Sequence, residues 1–148
     1  MRKVKGEKLL LAVSLFLSVF ISSGCDYTVG GWGEWDGDVI SREQSPDKEV
    51  DALIVEGSFG ATTGFSYRVF LVPSGAEFDK RSALFDKKNA VLIAGDAQKL
   101  TTVWKDARKL QITYNSARIF HYSNFAEFSD SGRPTKHLDI NLIEKLSK

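Results

Sequence analysis

An apolar block near the N-terminus is the first strong pattern in this chain. Residues 9–21, "LLLAVSLFLSVFI", contain two serines as their only polar side chains and follow the basic stretch "MRKVKGEK". The small residues "SSG" come next, at positions 22–24. A basic start, a short apolar run and a small-residue cleavage site predict a secretory signal peptide. A membrane-spanning helix needs roughly 20 apolar residues, so an uncleaved anchor is the less favoured alternative.

From residue 46 onward, short runs of apolar residues predict β-strands. Pro46-Asp47 is a turn signal that leads into the apolar "ALIV". "FSYRVFLVP" then alternates in polarity until Pro73, which cannot donate to a central sheet ladder. The other predicted strands are "AVLIAG" at 90–95, a hairpin with arms at 101–104 and 109–114, "ARIFHY" at 117–122, and "HLDINLIEKL" at 137–146. The last run also fits a helical period, and we favour a strand.

Six or seven strands with short links predict a mostly β fold. The expected architecture is a small antiparallel sheet, a sandwich or a half-barrel, similar to one or two β-propeller blades, with low helix content apart from the signal segment. The polar segment 74–89 predicts at most a short helical turn. In the hairpin arm 109–114, alternation predicts an inward face of Leu110, Ile112 and Tyr114 and an outward face of Lys109, Gln111 and Thr113.

The pattern divides the chain into three parts. Residues 1–24 are the predicted signal peptide, residues 25–45 a flexible tether rich in glycine and tryptophan, and residues 46–148 a single β domain. Trp32 and Trp35 in the tether either anchor at a membrane interface or cover an apolar patch of the domain, and we favour the second interpretation.

Charge argues against one class of partner. Removing the first 24 residues takes away four of the 20 basic and one of the 19 acidic residues, which leaves a net charge of −2. A nucleic-acid-binding domain carries a basic patch or stripe, so we expect no nucleic-acid partner.

The single cysteine, Cys25, directly follows the small residues of the predicted signal. This segment resembles the lipobox of bacterial lipoproteins, in which the cysteine receives a diacylglyceryl group, the signal is cut before it and the new amine is acylated. Gly24 and Ser23 match the small positions of that motif, whereas Ser22 stands where leucine is usual. Two or three acyl chains hold a protein firmly, and one chain does so marginally. The alternative is an ordinary free thiol.

The lipobox resemblance implies a location. A lipid on Cys25 would hold the domain at a bacterial cell membrane, facing the periplasm or the exterior. Asp26 follows the cysteine and resembles an inner-membrane retention signal. With Cys25 lipidated, no disulfide can form within the monomer, so packing alone must hold the fold.

A second resemblance covers residues 45–120. The segments "SPDKEVDALIVE", "GATTGFSYRVFLVP" and "VWKDARKLQITYNSARIF" are similar to small bacterial lipoproteins whose domain has no assigned function. "GATTGF", residues 60–65, is the most specific of these segments. The resemblance implies a β domain and assigns it no activity.

Motifs for catalysis and metal binding are weak. The two histidines, His121 and His137, have no cysteine or histidine neighbour at ligand spacing, so we predict no metal and no cofactor. "GFSYR" lacks the second flanking glycine of the G-x-S-x-G pattern, and we predict that the protein is not an enzyme. Asp36 and Asp38 lack the twelve-residue calcium loop with its distal glutamate.

Three residues are candidates for binding. Thr62 and Thr63 offer hydroxyls in the "GATTGF" loop, where we expect a positive φ at Gly60 or Gly64. Arg118 lies among aromatic residues, Tyr114, Phe120 and Tyr122, where it could bind a carboxylate or phosphate or stack on a ring. We favour stacking.

These observations lead to one hypothesis with two alternatives. We expect a lipid-anchored, non-enzymatic cell-envelope protein that contacts an unknown envelope protein. The first alternative is a module that binds a small ligand, a cell-wall polymer or a hydrolase through the "GATTGF" loop. The second is an enzyme with an unrecognised site.

Overall fold

The chain folds as nine β-strands in a computed structural model that describes residues 36–58, 64–129 and 135–145. The strands are β1 Asp36–Gln44, β2 Val50–Ser58, β3 Ser66–Pro73, β4 Ala90–Gln98, β5 Thr101–Asp106, β6 Lys109–Tyr114, β7 Ser116–Tyr122, β8 Phe125–Phe128 and β9 Lys136–Glu144. Two short 3₁₀ turns, Ala83–Phe85 and Lys87–Asn89, interrupt the segment between β3 and β4. The described residues contain no α-helix, and the prediction of a mostly β fold is confirmed.

The strands form two sheets that do not close into a barrel. The first sheet has the order β1-β2-β3-β4-β7, and all of its pairs are antiparallel. The second sheet has the order β5-β6-β9-β8. Its β6–β9 pair is parallel, which the sequence pattern did not predict. The parallel pair arises because β7 crosses to the first sheet before β8 and β9 return to the second.

Residues 90–122 form one long hairpin that belongs to both sheets. One arm runs from β4 into β5, and the other returns from β6 into β7. The two arms stay paired across the bend, from Gln98 opposite Ser116 to Thr101 opposite Thr113. Strands that switch sheets through bulges or bends make the corners of such packings. The predicted hairpin at 101–114 is therefore the outer part of a longer element.

The main core lies between the two sheets. Ile54, Val69 and Leu92 from the first sheet pack in one cluster with Leu110 and Ile112 from the second, and all five are buried. The predicted inward face of β6 is thus confirmed for its two aliphatic residues. Fully burying each such side chain contributes about 1.5–3 kcal/mol.

One residue of β6 departs from the predicted alternation. Thr113 was expected to point outward, and this prediction is wrong because its side chain is buried. Its hydroxyl shares a 2.6 Å hydrogen bond with the hydroxyl of Thr101 at the bend of the hairpin. The bend covers both sides of β6 at this point.

A second, smaller core covers part of the other face of the first sheet, which we call the outer face. The segment 74–89 folds over this face and places Phe85 between Phe70 of β3 and Phe78. Phe85 meets Phe70 at a centroid distance of 5.5 Å and Phe78 at 4.7 Å, both edge to face. β2 is buried on both faces here, which fits the continuous apolar run "ALIV" at positions 52–55 of its sequence.

The prediction of a tether over residues 25–45 is wrong for residues 36–44. These residues form β1, which pairs with β2 from Asp36 opposite Ser58 to Gln44 opposite Asp51. β1 is an edge strand with a register shift between Val39 and Ser41, and edge strands commonly carry polar residues. Residues 25–35, with both tether tryptophans, lie outside the described residues. No helix in the described part of the chain has the length and hydropathy of a membrane span.

A buried carboxylate ties the edge of the first sheet to the segment over its outer face. Asp51 is 2% exposed and accepts hydrogen bonds from Arg42 Nη1 at 2.6 Å, Ser74 Oγ at 2.9 Å and the backbone N–H of Gly75 at 2.9 Å. Arg42 also donates to the Ala76 carbonyl at 2.7 Å. Burial by itself raises the pKa of Asp51, but the hydrogen bonds from Gly75, Ser74 and Arg42 outweigh it and lower the pKa overall.

We expect Asp51→Asn to destabilise the fold by about 1.5–3 kcal/mol at neutral pH, because hydrogen bonds to a charged group are lost. The folded-state pKa of Asp51 lies below the unfolded value, so its contribution is present above the unfolded pKa and is lost as pH falls through the folded pKa. Denaturant unfolding from pH 7 down to about pH 3 should show the gap between wild type and variant narrowing. The exposed Asp139→Asn is the control, and a gap that stays constant with pH would contradict the assignment.

Candidate binding groove

A row of small residues crosses the first sheet at one end. The strand register places Gly57 opposite Ser66, Ser66 opposite Gly95, and Gly95 opposite Arg118. Side chains that are directly opposite in antiparallel strands point to the same face. Ser66 lies two residues from Arg68 and four from Phe70, so this row lies on the outer face. Apart from Arg118, the row has almost no side-chain volume. The surface of the sheet is therefore low here and forms the floor of a groove.

A groove of about 500 Å³ lies over this floor, and we call it the outer groove. Its lining residues are Gly64, Phe65, Ser66, Arg68, Lys87, Ile93, Gly95, Asp96, Arg118 and Phe120. The segment 74–89 borders it on one side through Lys87, and the end of the "GATTGF" loop borders it on another. The outer groove is the part of the outer face that the second core leaves uncovered.

A β-bulge in β7 supplies the most exposed wall of the outer groove. Ile93 pairs with His121 and Ala94 with Ile119, so Phe120 is the extra residue. A bulge re-aims side chains, and the Phe120 ring here lies against Gly95, where a Cβ atom would sit 2.9 Å from the ring. Phe120 is 62% exposed and Phe65, on the loop side, is 57% exposed.

Asp96 connects the end of the loop to β7. Its φ of 51° lies in the left-handed region, which aspartate tolerates better than most side chains. Its backbone N–H donates to the Phe65 carbonyl at 3.0 Å, and its Oδ2 lies 3.8 Å from Arg118 Nη2. A Cβ atom on Gly64 would sit 2.4 Å from Asp96 Oδ1. The Asp96 carboxylate therefore lies next to both the end of the "GATTGF" loop and Arg118 of β7.

The lining of the outer groove carries three cationic side chains and one carboxylate. Arg68, Lys87 and Arg118 are the cations and Asp96 is the carboxylate. Arg68 is 7% exposed, and this burial lowers the pKa of its guanidinium, which the nearby charge of Asp86 partly offsets. Three cations against one carboxylate give the lining a net charge of +2.

Arg118 is the one predicted binding residue that lies among the described residues. Its guanidinium carbon lies 6.0 Å from the centroid of the Phe120 ring, at the outer limit for a cation–π contact, and it also pairs with Asp96. The Arg118 side chain is 72% exposed, so both contacts are weak. The predicted stacking is therefore present, but with Phe120 alone of the three aromatic candidates. Tyr122 faces the main core instead.

The "GATTGF" loop is described at its end only. Thr62, Thr63 and Gly60 lie outside the described residues, as does Cys25. The expected positive φ does not occur at Gly64, and among the described glycines it occurs at Gly75, with φ 81°. Gly64 leaves room for the Asp96 carboxylate, which would have to move aside if residue 64 had a side chain.

Sequence reasoning missed most of the lining. Phe120 was placed in a regular strand, and the bulge that exposes it left no periodic signal. Arg68 lies within the predicted strand "FSYRVFLVP", but nothing in the sequence was a reason to assign it a role. The Gly95-Asp96 pair behind an apolar strand was an available signal, because glycine inside a strand pattern suggests a bulge or a close approach.

The histidines are not part of this groove. His137 lies in the second sheet, where its Nδ1 is 3.5 Å from Glu127 Oε1. His121 is exposed on β7 beside Asp86 and Lys87. Within residues 36–58, 64–129 and 135–145, no group of three or more histidine, cysteine or acidic residues could hold a metal ion.

No protein-family model matches this chain, and no curated protein or solved structure matches it either. The resemblance to small bacterial lipoproteins therefore stays a prediction.

We expect Gly64→Ala to lower the free energy of unfolding by about 1 kcal/mol, because the new Cβ displaces the exposed Asp96 carboxylate from its position beside Arg118. The control is the same change in an Asp96→Gly background, which removes the carboxylate. There the loss should fall below about 0.5 kcal/mol, as for a change in open space. Denaturant unfolding of the four proteins completes the cycle, and equal losses in both backgrounds would contradict the steric explanation.

Proposed function

We propose that this chain is a lipid-anchored, non-enzymatic binding module of the bacterial cell envelope, and that the outer groove is its binding surface. The observation that carries the proposal is the grouping of Arg68, Lys87 and Arg118 with two exposed phenylalanine rings around one groove. Its volume of about 500 Å³ is within the range of small-molecule sites.

The lining suggests a ligand with an anionic group and an apolar part. Arg118 and Lys87 offer charged donors at the rim, and guanidinium groups bind carboxylate or phosphate with two parallel hydrogen bonds. Phe65 and Phe120 offer exposed apolar surface in the same lining. Single exposed apolar residues are normal on a protein surface. Two exposed rings beside one cationic groove instead favour a binding surface.

This geometry favours a ligand-binding module over a domain that contacts a protein through a flat surface. The outer groove is concave, and Gly64 and Phe65 at the end of the "GATTGF" loop belong to its lining. That position supports the hypothesis that the loop takes part in binding. A protein partner that inserts an acidic, apolar segment into the groove is the second candidate.

The anchor is supported by the N-terminal sequence. The signal-like segment ends in "SSGC", and Cys25 is the single cysteine of the chain. No nucleophile elbow or metal-ligand spacing accompanies these features, which supports a binding role without catalysis.

We expect Cys25→Ser to abolish labelling by an alkyne fatty acid in cells and either to release the protein from membranes or to leave an uncleaved precursor. Ser22→Leu is the matched control, because it brings the segment closer to the usual lipobox and should keep or increase the label. Gel fluorescence and membrane fractionation measure both. Full labelling of the serine variant would refute the anchor.

We also expect a photoreactive benzoyl-phenylalanine at position 120 to form crosslinked adducts in intact cells. The same residue at Val103, which is exposed on β5 in the second sheet, should not. Arg118→Glu should weaken the adducts from position 120, because it reverses a charge of the lining. Absence of any adduct at position 120, or equal adducts at 103, would refute the groove as a binding surface.

A further inference from the structure

We propose that the outer groove binds the anionic headgroup of a phospholipid in the membrane that carries the anchor, so that this end of the first sheet lies on the membrane surface. This inference rests on the proposed function, because it takes the outer groove as the binding surface and Cys25 as the anchor.

The topology places the groove at the end of the sheet where the anchored chain arrives. β1 begins at Asp36, which pairs with Ser58 at the end of β2. The next described residues, Gly64 and Phe65, already line the outer groove. Ten residues separate Cys25 from Asp36. A fully extended chain limits the separation of these two Cα atoms to about 40 Å, so the start of β1 lies within about 40 Å of an anchored Cys25.

The lining matches the chemistry of the interface between headgroups and acyl chains. A phosphodiester headgroup such as that of phosphatidylglycerol carries one negative charge, and basic residues near an anionic leaflet are attracted to it. Phenylalanine is among the residues that surface-binding segments bury at the acyl boundary. Arg118 and Lys87 would meet the phosphate, and Phe65 and Phe120 would enter the apolar layer.

A second groove of about 480 Å³ lacks this combination. It lies beside β8 and contains Phe125, but its lining has one lysine, Lys88, against one carboxylate, Glu127, whereas the outer groove has three cations against one carboxylate. Its β3 residues, Leu71 and Pro73, are at the strand end opposite the start of β1. Charge and position therefore both favour the outer groove.

Free phosphate is the other source of the same anionic group. Inorganic phosphate has no apolar part and would leave Phe65 and Phe120 in water. The two exposed rings, at 57% and 62%, therefore favour a lipid headgroup.

The test uses the lipidated mature protein reconstituted in vesicles. Because the lipid consumes the thiol of Cys25, Ser116→Cys provides a single free thiol for a nitroxide. Ser116 is exposed on β7, two residues before Arg118. Vesicles of phosphatidylcholine are compared with vesicles that contain about one-quarter phosphatidylglycerol, whose anionic surface should draw the groove down. Accessibility of the label to oxygen and to a water-soluble nickel chelate is measured by electron paramagnetic resonance.

In the phosphatidylglycerol vesicles we expect the nickel accessibility of the label to fall about two-fold or more, with a matching rise in oxygen accessibility, as for a surface that enters the interface. Asn141→Cys, exposed on β9 of the second sheet, is the control site and should stay accessible to nickel. Arg118→Gln and Phe120→Ser change exposed side chains and should each return the Ser116 label to water.

Three results would overturn the inference. The label at position 116 could stay equally accessible to nickel in both vesicles, or the Arg118 and Phe120 variants could leave its response unchanged. The third result concerns inorganic phosphate. Titrated into phosphatidylcholine vesicles, it could change the mobility of the label as much as phosphatidylglycerol does. The groove would then be assigned to free phosphate. Mass spectrometry of Cys25 before reconstitution separates these failures from failure of the anchor.

Discussion

The bend in the hairpin of residues 90–122 is the constraint on which both sheets depend. Its two arms remain paired while they leave the first sheet and enter the second, and the Asn115 N–H donates to the Gln98 carbonyl at 2.9 Å within the bend. Asp96 and Lys99 adopt left-handed φ values of 51° and 52° in the arm that turns. A non-glycine residue in that region has a conformational cost, which the pairing on both sides of the bend offsets.

The candidate site is built from the same irregular backbone. The register shifts that let β4 and β7 turn also leave Phe120 as an extra residue and bring Asp96 against Gly64. The outer groove is open because the segment 74–89 covers only part of the outer face, where Phe85 fills the second core. The Asp51 hydrogen bonds hold the start of that segment at Ser74 and Gly75.

The strands that the sequence predicted are those with a strong apolar pattern, such as β3 and the β5–β6 hairpin. β1 was not predicted because an edge strand can be polar. β8 was not predicted because four residues are too few to show an alternation. The parallel pairing of β6 with β9 is not a local property, since it joins residues 30 positions apart, such as Lys109 and Asp139. In the site, Arg118 could be identified from its aromatic neighbours. Phe120 could not, because a bulge breaks the alternation on which strand prediction rests.

The position of β9 has a consequence for the order of folding. β9 lies between β6 and β8, yet it is the last strand of the described chain. Closing a long loop costs more entropy than closing a short turn, so the hairpins should form before the β6–β9 pair. Until β9 arrives, the edge of β6 presents unpaired backbone groups beside Leu110 and Ile112 to any other strand. We therefore expect the folding chain to be most prone to self-association just before β9 pairs with β6.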